Sequence, residues 1–172
     1  MKIDIRQASR EQAPEIARMI MLAMTDDCCL SFCGEGYGLD DFYKMMTLLV
    51  EREDSQYSYK NTRVVLDGDK VVGISVSYDG SRLHELRRPF LELALELIGR
   101  DHSGMNDETQ PGELYLDSLA VLPEYRRQGI ARRLIRVTKN APTKWACLTL
   151  GYWLIKAIPL VRHFMHQSVF DM

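Results

Sequence analysis

No stretch of this chain stays apolar long enough to cross a membrane as a helix. The first residues, Met1 to Gln12, lack the apolar core of a secretory leader, so none is expected. Charge of one sign is not in excess: 22 Lys and Arg stand against 24 Asp and Glu, a net charge of -2. That balance excludes the strongly basic face that nucleic acid would want as a main partner. Cysteine is scarce, with Cys28, Cys29, Cys33 and Cys147 alone. Their spacing makes neither a C-x-x-C pair nor a zinc site, and reduced thiols in a cytoplasmic protein are expected. Two phosphate-binding fingerprints are also missing. No glycine is followed by Lys-Ser or Lys-Thr, and there is no G-x-G-x-x-G, which excludes the usual Mg-nucleotide and dinucleotide loops.

What is present suits a globular protein. A chain of 172 residues, 46% of them apolar, can fill one core and is short for two, so residues 1–172 are expected to form a single domain. Ile3 and Ile5 alternate with polar neighbours and predict a short strand. Ser9 with Gln12 reads as a capping box, and Ile16, Met19, Ile20 and Ala23 give a helical face running to about Met24. Thr25 to Gly38 is rich in turn residues and is expected to be a loop. Asp40 or Asp41 then caps a helix that turns Phe42, Met45, Met46, Leu49 and Val50 inward. A hairpin follows, from Arg63 to Leu66, through Asp67-Gly68-Asp69, to Lys70 to Tyr78. Val72, Ile74 and Val76 are expected on one face; Val71, Gly73 and Ser75 on the other. Ser81 to Gly99 predicts a further helix burying Leu83, Leu86, Phe90, Leu93, Ala94 and Leu97. Pro89 should kink or restart it, and Gly99 should cap it. His84 and Glu85 belong to a solvated first turn. The polar stretch Arg100 to Gly112 is expected to be a mobile cover over an acceptor site.

The chemistry concentrates between Leu114 and Ile135. Tyr115, Asp117 and Leu119 alternate with Leu116, Ser118 and Ala120, a strand that Pro123 ends. After a short polar turn and Gly129 the period changes, and Ile130, Ala131, Leu134, Ile135 and Val137 fall on one helical face. A glycine loop feeding a helix N-terminus aims backbone N–H groups at an anion. Arg126, Arg127, Arg132 and Arg133 add charge and bidentate donors.

Arg126-Arg127-Gln128-Gly129-Ile130-Ala131 resembles the R/Q-x-x-G-x-G/A loop of the GNAT family of N-acetyltransferases, and Leu119-Ala120-Val121, Pro123 and Tyr125-Arg126 resemble the family's strand end. The resemblance implies an α/β fold: a central mixed sheet, antiparallel on its N-terminal side, with helices on both faces. It implies acetyl-CoA as co-substrate, with no metal. Leu119 and Val121, flanking Ala120, would bond the pantetheine amides beside a bulge that frees backbone N–H groups. The loop of Arg126, Arg127, Gln128, Gly129, Ile130, Ala131 and Arg132 would hold the pyrophosphate. An N–H near Leu119 would stabilise the oxyanion. Tyr115 and Asp117 would face the acceptor, with Asp117 the first candidate for the base. The alternative is that Asp117 only bonds a neighbouring loop and water relays the proton. The acceptor would be a primary amine of a small molecule or peptide, and the protein a monomer or homodimer in the cytoplasm.

The C-terminal segment departs from the family. Its last helix usually carries N-P-x-A-x-x-x-Y-x-x-x-G-F, the tyrosine protonating the departing thiolate; here Ile158 stands for the Asn and Met165 for the Tyr. Methionine donates no proton. His163 or His166 is the alternative proton donor at this position; as a metal pair at i, i+3 they lack a third ligand. An impaired acyl-CoA-binding relative, acting as a sensor, is therefore the second reading. The codons permitted by this segment supply a further clue. Joining the third base of each codon to the first two of the next, Trp153 to Phe170 can spell Val-Asp-Lys-Gly-Asn-Pro-Phe-Gly-Glu-Ala-Phe-Tyr-Ala-Ser-Val-Gly-Phe. The missing Asn-Pro, tyrosine and Gly-Phe all return in place. The same shift over Thr138 to Ala146 can spell Lys-Glu-Arg-Ala-Asp-Lys-Met-Gly, a helix end without Pro142. A change of frame near Thr138 is expected.

Overall fold

The computed structural model describes residues 3–139 and 147–150. Its sheet has five strands in the order β1-β2-β3-β4-β5: Ile3–Gln7, Thr62–Asp67, Lys70–Asp79, Glu113–Val121 and Cys147–Leu150. The first four pair antiparallel, and β5 runs parallel to β4. β4 is thus an inner strand, as expected. The β2–β3 turn places Gly68 at φ 62, the left-handed region that suits glycine.

Two β-bulges shift the faces from those that strict alternation gives. Leu66 pairs with Val71 and Val65 with Gly73, so Val72 is an extra residue in β3. Val71 therefore joins Ile74 and Val76 on one face, while Val72 joins Val65 on the other. In β4, Ser118 pairs with Val76 and Leu116 with Ser77, which leaves Asp117 as the extra residue. Leu116 and Leu119 share a face, and Leu119 does not lie with Tyr115 as expected.

Helices cover both faces. On one, α1 (Ala13–Met24) and α3 (Leu39–Glu51) pack Ile16, Ile20, Phe42, Met45, Met46, Leu49 and Val50, all fully buried, against the sheet. The Ser9 N–H donates to Gln12 Oε1 at 3.0 Å, closing the expected capping box. Gly38, and neither aspartate, is the N-cap of α3; Asp41 Oδ2 accepts the Gly38 N–H at 3.1 Å. On the other face, α5 (Ile130–Lys139) lays Ile130, Leu134 and Ile135 on Val65, Val72, Leu116 and Leu119. Val137 is exposed; Thr138 turns inward in its place, 3.2 Å from Ser75.

The expected loop after Met24 contains a helix, α2 (Asp26–Phe32). Thr25 caps it, Asp26 and Asp27 complement its dipole, and Cys28 and Cys29 are buried. The inserted helix α4 (Leu83–Leu97) is present, with Pro89 buried inside it and Gly99 at φ 64 closing its end. Leu83, Leu86, Phe90 and Ala94 are buried as expected, and so is Arg87. The expected helix end at Pro142, the segment after Leu150, the His163 and His166 pair, and Met165 lie outside the described residues. Among the described residues no helix is long and apolar enough to cross a membrane.

Candidate active site

The arginine loop stands at the C-terminal end of β4. Leu122 donates its N–H to Val72 O, Pro123–Tyr125 make one 3-10 turn, and the chain enters α5 at Ile130. Tyr125 fastens the turn through its hydroxyl, 3.1 Å from Asp67 Oδ2, and Lys70 lies over the ring. Arg127 adopts φ 63 and Gly129 φ 76. A left-handed arginine is uncommon, and alternating left-handed residues curl successive N–H groups toward one point. A Cβ built on Gly129 meets nothing within 4 Å, so the concavity is open. The N–H groups of Ile130 and Ala131, in the first turn of α5, have no intrahelical acceptor. Arg127, Gln128 and Arg132 are exposed around this hollow. Arg126 is turned away by one contact: its Nε donates to Val121 O at 3.0 Å.

Leu119, Ala120 and Val121 pair with Ser75, Ile74 and Gly73 along one edge of β4. On its other edge the described pairing with β5 covers Glu113 to Leu116 and stops. Beyond Leu116 that edge has no strand partner among the described residues.

Asp117 sits where pairing skips it, half-buried, and its Oδ2 accepts the Ser118 hydroxyl at 2.8 Å. Burial, and then the charge of Glu108, push its carboxyl up to about 7, against the Ser118 hydrogen bond and Arg87. Tyr115 is buried and packs edge-on against Tyr78 at 5.4 Å between ring centres. Tyr57, Tyr78 and Tyr115 all have phenols pushed above their usual range, first by burial and next by the charge of Asp117. At neutral pH the phenols stay protonated.

Four members of this cluster, Tyr57, Tyr78, Arg87 and Glu108, were not singled out from the sequence. Arg87 Nη1 and Nη2 approach Asp107 and Glu108, each at 3.4 Å, and its side chain is only 5% exposed. Glu108 keeps 36% of its side-chain surface, so water screens the upward shift that burial gives it. Tyr78 follows the inward positions of β3. A signal was available for Arg87: Leu83, Leu86, Arg87, Phe90 and Ala94 keep helical spacing, which puts an arginine on an apolar face. The loop expected as a cover does reach the site, through Asp107 and Glu108. A cavity of about 170 Å³ on the α5 side, lined by Gln7, Asn61, Arg63, Ser77, Tyr78 and Thr138 among others, shares Tyr78 with this cluster and contains neither Asp117 nor the arginine loop. No group of three or more His, Cys, Asp or Glu among the described residues is placed to hold a metal.

Comparison with known proteins agrees with this geometry. No curated protein matches the sequence. Solved structures do. An N-acetyltransferase from Staphylococcus aureus Mu50 superposes with a TM-score of 0.67 at 21% identity, covering 84% of this chain and 80% of that one. A ribosomal-protein-alanine N-acetyltransferase from Brucella melitensis biovar Abortus 2308 gives 0.54 at 15% identity, covering 100% and 93%. An aminoglycoside N-acetyltransferase solved with CoA gives 0.52 at 12% identity, covering 99% and 88%. At these identities the likeness establishes the fold. The model of the acetyltransferase (GNAT) family matches residues 27–163, most of the chain, and the protein belongs to that family.

Proposed function

We propose that the protein is an N-acetyltransferase that moves an acetyl group from acetyl-CoA to a primary amine, its residues 1–172 forming one transferase domain. Family membership supports acetyl transfer from an acyl-CoA in general. The observation that carries the finer reading is the bulge at Asp117, which sets a carboxyl poised near 7 on the strand that leads into the arginine loop. Arg127, Gln128, Gly129, Ile130, Ala131 and Arg132 surround a hollow that suits a pyrophosphate, and the β4 edge at Leu119 and Val121 suits the pantetheine amides. Arg126 is better suited to shaping the loop, because its Nε is already engaged. Asp117, once ionised, takes a proton from the acceptor's ammonium group. The amine nitrogen attacks the thioester carbon, the C–N bond forms, and the C–S bond breaks. The thiolate leaves with CoA, and the second proton of the nitrogen passes through water to the departing sulfur. Tyr115 lines the acceptor side of Asp117.

The alternative, an acyl-CoA-binding relative with impaired turnover, is favoured by Met165 at the position of the family's tyrosine. Calorimetry with acetyl-CoA and thiol release over an amine panel separate the two. Binding with no thiol release for any amine selects the alternative. The buried, unpaired Cys28, Cys29 and Cys33 support a cytoplasmic setting, and size-exclusion chromatography decides between monomer and homodimer.

A further inference from the structure

Among the described residues, three buried side chains end in polar atoms without a hydrogen-bond partner: Gln56 Oε1, Tyr78 OH and Arg87 Nε. Their residues are only 3%, 4% and 4% exposed. A buried orphan donor or acceptor is destabilising, and two of them, on Tyr78 and Arg87, belong to residues that pack on Leu86 or follow it in the chain. The Gln56 N–H donates to Leu86 O at 2.8 Å, Arg87 is the next residue of that turn, and Tyr78 packs with Leu86, Leu83 and Tyr115. Tyr78 OH donates or accepts, and Arg87 Nε donates from a charged group. Arg87 spends its terminal nitrogens on Asp107 and Glu108 and keeps Nε free. Glu108 lies 3.4 Å from Arg87 Nη2, and Asp117 stands at the β4 bulge two residues from Tyr115, whose ring packs on Tyr78. The segment that delivers Glu108 is tied to α2: Gly34 donates to Ile98 O at 2.7 Å, and His102 Nε2 lies 2.9 Å from Phe32 O.

From this we infer an acceptor subsite for a small primary amine that carries an oxygen, as a hydroxyl or carboxylate, a few atoms from its nitrogen. The ammonium group lies against Asp117 and Glu108. The oxygen accepts from Tyr78 OH and Arg87 Nε. A hydrocarbon amine or a long polyamine leaves these atoms orphaned, and a site built to hydrogen-bond an oxygen rejects the analogue without it. The tied-down segment favours a small molecule over the terminus of a folded protein. The inference rests on the acetyl-transfer reading for its chemistry, though not for its test.

The test titrates ethanolamine, β-alanine and n-propylamine into the full-length protein saturated with CoA, by calorimetry, and measures thiol release for each with acetyl-CoA. Ethanolamine or β-alanine should bind at least about tenfold more tightly than n-propylamine. Tyr78→Phe, which removes an atom with no partner, should erase most of the ethanolamine preference while n-propylamine binding and thermal stability hold. Arg87→Lys keeps the charge and removes Nε–H; it should weaken β-alanine selectively. Equal affinities in the unmodified protein, no measurable binding of any probe, or a preference that survives Tyr78→Phe overturns the subsite. A preference lost in Tyr78→Phe without thiol release for any amine retains the subsite and rejects acetyl transfer. Thiol release at one rate for all three, unchanged in the variant, retains transfer and rejects the subsite.

Discussion

The Ser118 hydroxyl donates to Asp117 Oδ2 at 2.8 Å, at the point where β4 carries one residue more than β3. The bond holds the carboxylate at the bulge while burial and Glu108 raise its affinity for a proton to about 7. As the base, Asp117 works only when ionised. Thiol release per unit substrate should therefore fall about tenfold per pH unit below 7 and level off above it. Asp117→Asn should lower the rate about 100-fold or more and flatten that acidic limb, with acetyl-CoA affinity kept. An unchanged profile from about pH 5 to about pH 9 makes Asp117 a structural residue.

The same shift has a consequence for stability. The folded-state value of Asp117 lies above the ordinary aspartate value of 3.8, so the folded protein holds this proton where the unfolded chain has released it. Stability from this group is present at low pH and is lost as pH rises from about 4 through about 7. Asp117→Asn should accordingly stabilise the protein at pH 8, on the order of 1–2 kcal/mol after its partial exposure is discounted, and change little near pH 4. Thermal melts at both values check it; equal shifts at both would show that the effect is not ionisation.

Much of the frame was legible. The α3 face, the β2–β3 turn and the strand-loop-helix around Gly129 follow from periodicity and from positions that need a left-handed backbone. The bulges were not, because an extra residue such as Val72 or Asp117 leaves every side chain plausible for a strand and reveals itself only in the pairing. The α2 helix was hidden by Ser, Gly and Cys, whose local preferences its tertiary contacts override. The tyrosine cluster was hidden for another reason. Tyr57, Tyr78, Arg87, Glu108 and Asp117 come from five separate stretches, and no spacing along the chain announces their meeting.

Gly129 tests the loop. At φ 76 any other residue is strained by roughly 1–2 kcal/mol, and Gly129→Arg also fills the open space that a pyrophosphate would occupy. Calorimetry should show acetyl-CoA affinity reduced by about 100-fold or more in a variant whose circular dichroism is unchanged. Full affinity in that folded variant removes the loop from the cofactor site.

The three described thiols should be inert. Burial pushes Cys29 up to about 12 and raises Cys28 and Cys33 as well. With iodoacetamide at pH 8, the peptide from Asp26 to Phe32 and its neighbour holding Cys33 should stay unlabelled in the native protein and be labelled in denaturant. Rapid native labelling would mean that α2 opens readily.

The final prediction concerns the gene. Over Trp153 to Phe170 the shifted frame restores Asn-Pro, the tyrosine and Gly-Phe at the family's own spacing, and over Thr138 to Ala146 it replaces Pro142 with a helix end closed by glycine. Each shifted codon has two bases constrained by the following residue and only its first base set by the preceding one. The protein as written carries Met165 where the thiolate would be protonated, and methionine has no proton to give. Two outcomes are expected. The nucleotide sequence after codon 138 should encode the tyrosine segment in the frame that starts on the third base. The chain made from that frame should release thiol about 10-fold or more faster than the chain as written, the gain expected from a positioned general acid. A third-base frame without the tyrosine ends the idea outright. A restored chain that is no faster would leave the change of frame standing and show that the tyrosine is not needed for turnover.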